Sequence, residues 1–179
     1  DPARGLWHVL DIYDALRRRV PDVTLHIAYD FNRQWELRRW MASQLAETLW
    51  ECKRRIGTTP GIVNLGALTR KQIVTEQIRS SLHLMPSDPP NTGSQIHGLF
   101  QLELAAAGTP LILSDTEAFP EVFGDVAEIL PLPGKFLPAA ERRFSPEDWA
   151  EVAADVLGDA ARWQRMSERG RALAERHTW

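Results

Sequence analysis

Short apolar runs alternate with helical stretches along this chain, and that order limits its fold more than any other feature. "VTLHIAY" (Val23–Tyr29) is β-branched and alternating, so it reads as a strand. "GIVNLGAL" (61–68), "SLHLMP" (Ser81–Pro86), Leu111–Ser114 and "AEIL" (127–130) read as four more. Helical segments separate them. Residues 6–19 place Leu6, Val9, Leu10, Tyr13 and Leu16–Arg17 on one face, and Pro21-Asp22 ends the helix. Residues 33–56 form a long helix striped by Leu37, Met41, Leu45, Leu49, Cys52 and Ile56, closed by Gly57 and Pro60. Thr69-Arg70-Lys71-Gln72 is a capping box and opens a helix that carries Ile73, Val74 and Ile78. A helix runs up to Gly108-Thr109-Pro110, and a short one starts at Pro120-Glu121. Residues 131–144 read as an irregular connection. Ser145-Pro146-Glu147-Asp148 combines a capping serine, a first-turn proline and first-turn acids, so a helix starts there and ends at Gly158. The last helix starts at Asp159 and turns Trp163, Met166, Gly170 and Leu173 inward.

Strands this short and apolar, each followed by a helix, predict an α/β fold: a parallel, Rossmann-like sheet flanked by helices. The length of 179 residues suits a single domain spanning 1–179. The net charge of -3 gives no general attraction for nucleic acid. One cysteine, Cys52, allows no internal disulfide and fits a reducing, cytoplasmic setting. No apolar run approaches the ~20 residues that a membrane helix needs. The chain opens on Asp1-Pro2-Ala3-Arg4-Gly5 without Met, as expected of a piece of a longer protein.

In a parallel sheet of this kind ligands bind beyond the C-terminal strand ends. That selects the loops after Tyr29, Leu65, Met85 and Ser114. The loop Ser87–Ser94 is the longest polar one and leads into "SQIHGLFQLELAAAGTPLILSD" (Ser94–Asp115). The first turn of a helix offers unpaired N–H groups and partial positive charge, which suit a phosphate. Gly98 would let an anion approach the backbone closely. Gln95 precedes that turn and Glu103 follows eight residues later, a span of roughly 12 Å along a helix. This matches a nucleotide sugar from hexose to ribose. A carboxylate only accepts hydrogen bonds, as two ribose hydroxyls require; an amide both donates and accepts, as sugar hydroxyls allow. The alternative for Glu103 is a structural acid paired with a core arginine.

The stretch Gln95-Ile96-His97-Gly98-Leu99-Phe100-Gln101-Leu102-Glu103-Leu104-Ala105-Ala106-Ala107-Gly108-Thr109-Pro110 resembles the E-x(7)-E signature of retaining GT-B glycosyltransferases of family 4 (group 1), in their C-terminal domain. "SDTEAFPEVFGD" is similar to the family's S/T-D-x-G-G-x-P-E-V-x-G-D, and "ARGLWHVLDIYDALRRRVPDVTLHIAY", "VNLGALTRKQI" and "RHTW" resemble further family segments in the same order. The resemblance implies the nucleotide-sugar-binding half of a hexosyltransferase-type enzyme, transferring with retention to an unknown acceptor. It implies that an N-terminal acceptor domain lies outside this chain and that the fragment alone binds without transferring. The donor is a nucleotide diphosphate sugar, with no cofactor and no metal. By the same resemblance Glu103 holds the ribose, Gly98, Leu99 and His97 line the diphosphate with Arg4 as a cation, and Gln95 orients the sugar. Strand-end placement puts the nucleobase near Gly66 and Leu68. The family's first strand would precede residue 1, so another segment should supply it.

Three departures stand out. Gln95 replaces the first family glutamate, Ile96-His97 replace Gly-Phe, and Glu117-Ala118 replace Gly-Gly. They keep open a non-catalytic nucleotide-sugar-binding module and a GT-B-like nucleotide-sugar epimerase. His97 has a plain reading as a surface residue, and Arg4 as an exposed one. His8, His26, His83 and His177 share no ligand spacing and read as core or surface filling. Lys53-Arg54-Arg55 read as a solvated helix end, with contact to a membrane surface as a lesser option. The seven Trp residues fall mostly at core spacing, with Trp35 and Trp40 as options for facing an acceptor or membrane.

Overall fold

A computed structural model describes residues 5–31, 43–87, 98–116, 118–131 and 144–177. The order is α1 (Leu6–Arg19), β1 (Leu25–Ile27), α2 (Ser43–Thr58), β2 (Ile62–Asn64), α3 (Arg70–Arg79), β3 (His83–Met85), α4 (Leu99–Ala107), β4 (Leu111–Ser114), α5 (Phe119–Phe123), β5 (Glu128–Leu130), α6 (Pro146–Gly158) and α7 (Ala160–Arg176). The α/β class with parallel strands flanked by helices is as expected. β4 spans Leu111–Ser114 as expected; the other four strands are shorter than the apolar runs that announced them, because a run is paired only where a neighbour offers ladder partners. Gly57 does not close α2; the helix continues through it to Thr58.

The single expected sheet is two parallel blocks among the described residues. β1 pairs with β2 in the register Leu25↔Ile62, and β3, β4 and β5 form the second block in that order. The Leu25 N–H donates to the Gly61 carbonyl at 2.9 Å, and the Leu65 N–H to that of Ile27 at 2.8 Å. In the second block the His83 N–H donates to Pro110 at 2.9 Å. Backbone groups in a parallel ladder point alternately to either side. His26 and Leu84 therefore direct their N–H and C=O groups away from β2 and β4 respectively.

Helix α1 joins the blocks. Its Leu6 and Leu10 pack with Ile27, Leu49, Cys52 and Ile56. Its Ile12, Ala15 and Leu16 pack with Ile112 and with Trp149, Ala150 and Ala153 of α6. Gly5, which caps α1, lies where any side chain would collide with the Pro86 carbonyl. The start of α1 thus sits beside the C-terminal end of β3.

The opposite face of the second block is covered by α4, α5 and α7, through Leu104, Ala105, Leu111, Leu113, Phe119, Phe123 and Leu173. The last two helices carry caps that the sequence announces: Ser145 Oγ accepts from the Asp148 N–H at 3.1 Å, and Asp159 Oδ1 from the Arg162 N–H at 2.9 Å. Met166, Gly170 and Leu173 are buried, while Trp163 is only half-buried and donates its indole N–H to the Ser81 carbonyl at 2.7 Å.

The basic run at the end of α2 is not simply solvated. Arg55 reaches back to α1, donating to Asp11 Oδ1 and Asp14 Oδ2 at 2.7 Å each. Nor are the tryptophans uniformly core residues. Trp149 is 1% exposed, whereas Trp7 and Trp50 are 42% and 61% exposed. Trp35 and Trp40 lie outside the described residues.

Candidate functional site

Helices α3 and α4 start on one rim, beyond the C-terminal ends of β2 and β3. The Thr69 capping box begins α3: its hydroxyl accepts from the Gln72 N–H at 3.4 Å, and the Thr69 N–H donates to Gln72 Oε1 at 2.9 Å. That fixes Arg70 in the first turn, next to the loop that holds Gly66 and Leu68. α4 starts at Gly98, whose φ of 53° places it in the left-handed region. Among the described residues no side chain caps this helix start.

Glu103 projects from α4 toward α3. Arg70 Nη1 donates to its Oε2 at 2.7 Å, and Gln77 Nε2 donates to the same oxygen at 3.3 Å. Among the described residues Oε1 has no partner. The Glu103 side chain is 35% exposed, so it is neither turned into the core nor fully in water. Its arginine is not a core arginine, because the Arg70 side chain is 66% exposed. The Arg70 guanidinium, assisted by the Gln77 amide, holds Glu103 below the usual carboxylate range despite partial burial.

Packing also requires a glycine at position 98. A Cβ there would come within 2.9 Å of Phe123 Cε2 and 3.3 Å of Phe119 Cε1. The space a side chain would fill is taken by two aromatic rings, and Gly98 itself is buried. Leu99 is 58% exposed and faces outward. Gly66 is left-handed, with φ 67°, and open space lies where its side chain would be. Its N–H donates to Asn64 Oδ1 at 3.1 Å. Leu68 is half-buried.

The Arg70–Glu103 pair brings two of the expected groups together: the loop with Gly66 and Leu68, and the helix with Gly98, Leu99 and Glu103. Gln95, His97 and Arg4 lie outside the described residues. Arg70 and Gln77 escaped the sequence reading. The capping box already placed Arg70 at the rim, but nothing in the sequence marked Gln77. A hollow lined by Trp7, Thr48, Glu51, Cys52 and Arg55 lies between α1 and α2, on the other face of the first block. The described residues hold no group of three His, Cys, Asp or Glu side chains suited to a metal, and no helix long and apolar enough to cross a membrane.

No family model and no curated relative matches the sequence. Solved structures do match the fold. HepE from Anabaena, in complex with UDP-glucose, aligns with a TM-score of 0.69 at 16% identity, over 98% of this chain and 42% of that one. Sucrose-phosphate synthase from Thermosynechococcus elongatus aligns at 0.64 and 16% identity, over 98% and 38%. A glycosyltransferase from Rickettsia africae aligns at 0.62 and 15% identity, over 97% and 40%. The chain spans about two fifths of the length of each. It has the fold of one part of these GT-B-type glycosyltransferases.

Proposed function

We propose that this chain is the C-terminal, donor-binding half of a retaining glycosyltransferase similar to family 4, acting on a nucleotide diphosphate sugar. One observation carries the reading: Glu103 stands at the rim, one turn into α4, with its Oε1 unpartnered among the described residues. It is supported by a fold like that of HepE, which was solved with UDP-glucose. Glu103 accepts from the ribose hydroxyls. The backbone N–H groups of the first turn of α4, from Leu99 on, face the diphosphate together with His97 and Arg4. Gln95 orients the sugar, and the nucleobase rests at Gly66–Leu68.

Retention then proceeds by a front-face path with oxocarbenium character. Fixed dipoles and a cation stabilise the departing diphosphate, and no cofactor is used. An N-terminal domain of the same protein supplies the acceptor site, so residues 1–179 alone bind donor without transferring. The full enzyme is cytoplasmic, with at most peripheral membrane contact.

The same reading supplies a strand between β1 and β3, from chain leading into α1. α1 and α2 cover one face of β1, so strand–α1–β1 would have the same hand as β1–α2–β2. Amide exchange in the full-length protein tests this. Slow exchange at both His26 and Leu84 is expected; rapid exchange at both removes the strand from the proposal.

Titration calorimetry of the full-length protein with UDP, GDP and ADP tests the site. One of them should bind, and Glu103→Ala should weaken that binding at least about tenfold. No heat with any of the three ends the reading. Gln95, standing where the family has glutamate, favours a second reading as a binding module without catalysis. Transfer by the full-length protein, compared with Gln95→Glu, separates the two. Donor conversion without acceptor would instead identify an epimerase.

A further inference from the structure

We propose that Arg70 and Gln77 are positioning residues for the pentose of the nucleotide, acting through Glu103. This rests on the reading of Glu103 as the ribose acceptor. Both donors converge on one carboxylate oxygen, Oε2, at 2.7 and 3.3 Å. Two donors on one oxygen fix the plane of the carboxylate and leave the lone pairs of Oε1 for a vicinal diol.

The scaffold behind this pair exceeds what a surface ion pair needs. Gln77 is 4% exposed, although α3 is mostly polar. The same helix leaves Val74 36% and Ile78 64% exposed. Val74 and Ile78 thus face outward, and Gln77 shares the inward side of α3 with the half-buried Ile73. The Gln77 backbone is held as well: the Thr109 hydroxyl, itself 3% exposed, donates to its carbonyl at 2.6 Å. Thr109 belongs to the Gly108–Pro110 corner that ends α4. The corner after Glu103 thus grips the residue that aims Glu103, and α3 and α4 hold the acid from both sides. Arg70 adds charge from the loop side, and its hydrogen bond lowers the pKa of Glu103 from its ordinary value.

The test compares the full-length protein with Arg70→Ala, Gln77→Met and Glu103→Gln. Each is titrated with UDP, GDP and ADP and with the 2′,3′-dideoxy form of whichever binds. Gln77→Met keeps the buried volume and removes the donor. Arg70→Ala should weaken the ribonucleotide about tenfold and leave the dideoxy form unchanged. Gln77→Met should act in the same direction. In Arg70→Ala the ribonucleotide should also begin to lose affinity on acidification at a higher pH than in the parent, because Glu103 then protonates sooner.

Three results would overturn the inference. Equal weakening of both nucleotides by Arg70→Ala would mean that Arg70 touches phosphate or base, or supports the fold. If Glu103→Gln removes the preference for the diol while Arg70→Ala and Gln77→Met do not, the positioning role fails and the reading of Glu103 stands. If Glu103→Gln leaves the preference intact, or none of the three nucleotides binds, the reading of Glu103 fails first and takes this inference with it.

Discussion

The two strand blocks share a parallel ladder and little else. In the second block β4 is buried along its whole length and paired on both edges, with one apolar cluster on each face. In the first, β2 is mostly exposed, and Val63 is 40% exposed. Leu25, Ile27 and Ile62 turn one face of that block to α1 and α2, while His26 on the other face meets Glu76 of α3 at 2.8 Å. A strand covered on both faces carries the fold. A pair covered mainly on one face is carried by its helices.

The largest expected contrast is between two isoleucines. Ile112→Ala in β4 should cost about 2–5 kcal/mol, since Ile112 is fully buried. Ile62→Ala in β2 should cost less than half as much, because Ile62 is only half-buried. Denaturant unfolding measures both, and equal losses would break the comparison.

His83 gives the next effect. Burial pushes its pKa down to about 4, and its ring lies edge-on to Phe100 with centroids 5.7 Å apart. The unfolded chain takes up that proton near pH 6.5. Between these values the unfolded state binds more protons, so stability is full above about pH 6.5 and falls as the pH drops toward 4. The loss should be on the order of 2 kcal/mol. His83→Leu should flatten this dependence in thermal melts from pH 7 to pH 4; an unchanged slope would remove His83 as its source.

Arg55→Ala should cost about 1 kcal/mol, since Asp11 and Asp14 are partly solvated and screen the loss. Its effect should fall on the first block: amides of β1 should exchange faster and those of β4 should not. Val63→Thr should change stability by less than about 0.5 kcal/mol, the smallest effect of the set.

The contrast also shows where sequence reading works. Caps were legible at Thr69, Ser145 and Asp159 because a cap is a local matter of side-chain oxygens and nearby N–H groups. The inward face of α7 was legible because the helix has one apolar stripe. α1 was only half legible. Leu6, Leu10, Tyr13 and Leu16 are buried as expected, but so are Ile12 and Ala15, because the helix lies across two blocks and needs a second apolar face. The partners of Glu103 were hidden for a related reason. Which side of α3 turns inward depends on α4: of Ile73, Val74 and Ile78 only Ile73 is half-buried, and Gln77 takes the buried place. Nothing local foretells that Phe119 and Phe123 pack against Gly98 and leave no room there for a side chain.

Cys52 gives the seam between α1 and α2 a built-in chemical clock. It is the only thiol in the chain, is 2% exposed, and has its pKa raised by burial to about 11. At neutral pH it is protonated and shielded, so an alkylating reagent reaches it only when α1 parts from α2. The labelling rate of one sulfur therefore reads how often α1 and α2 separate.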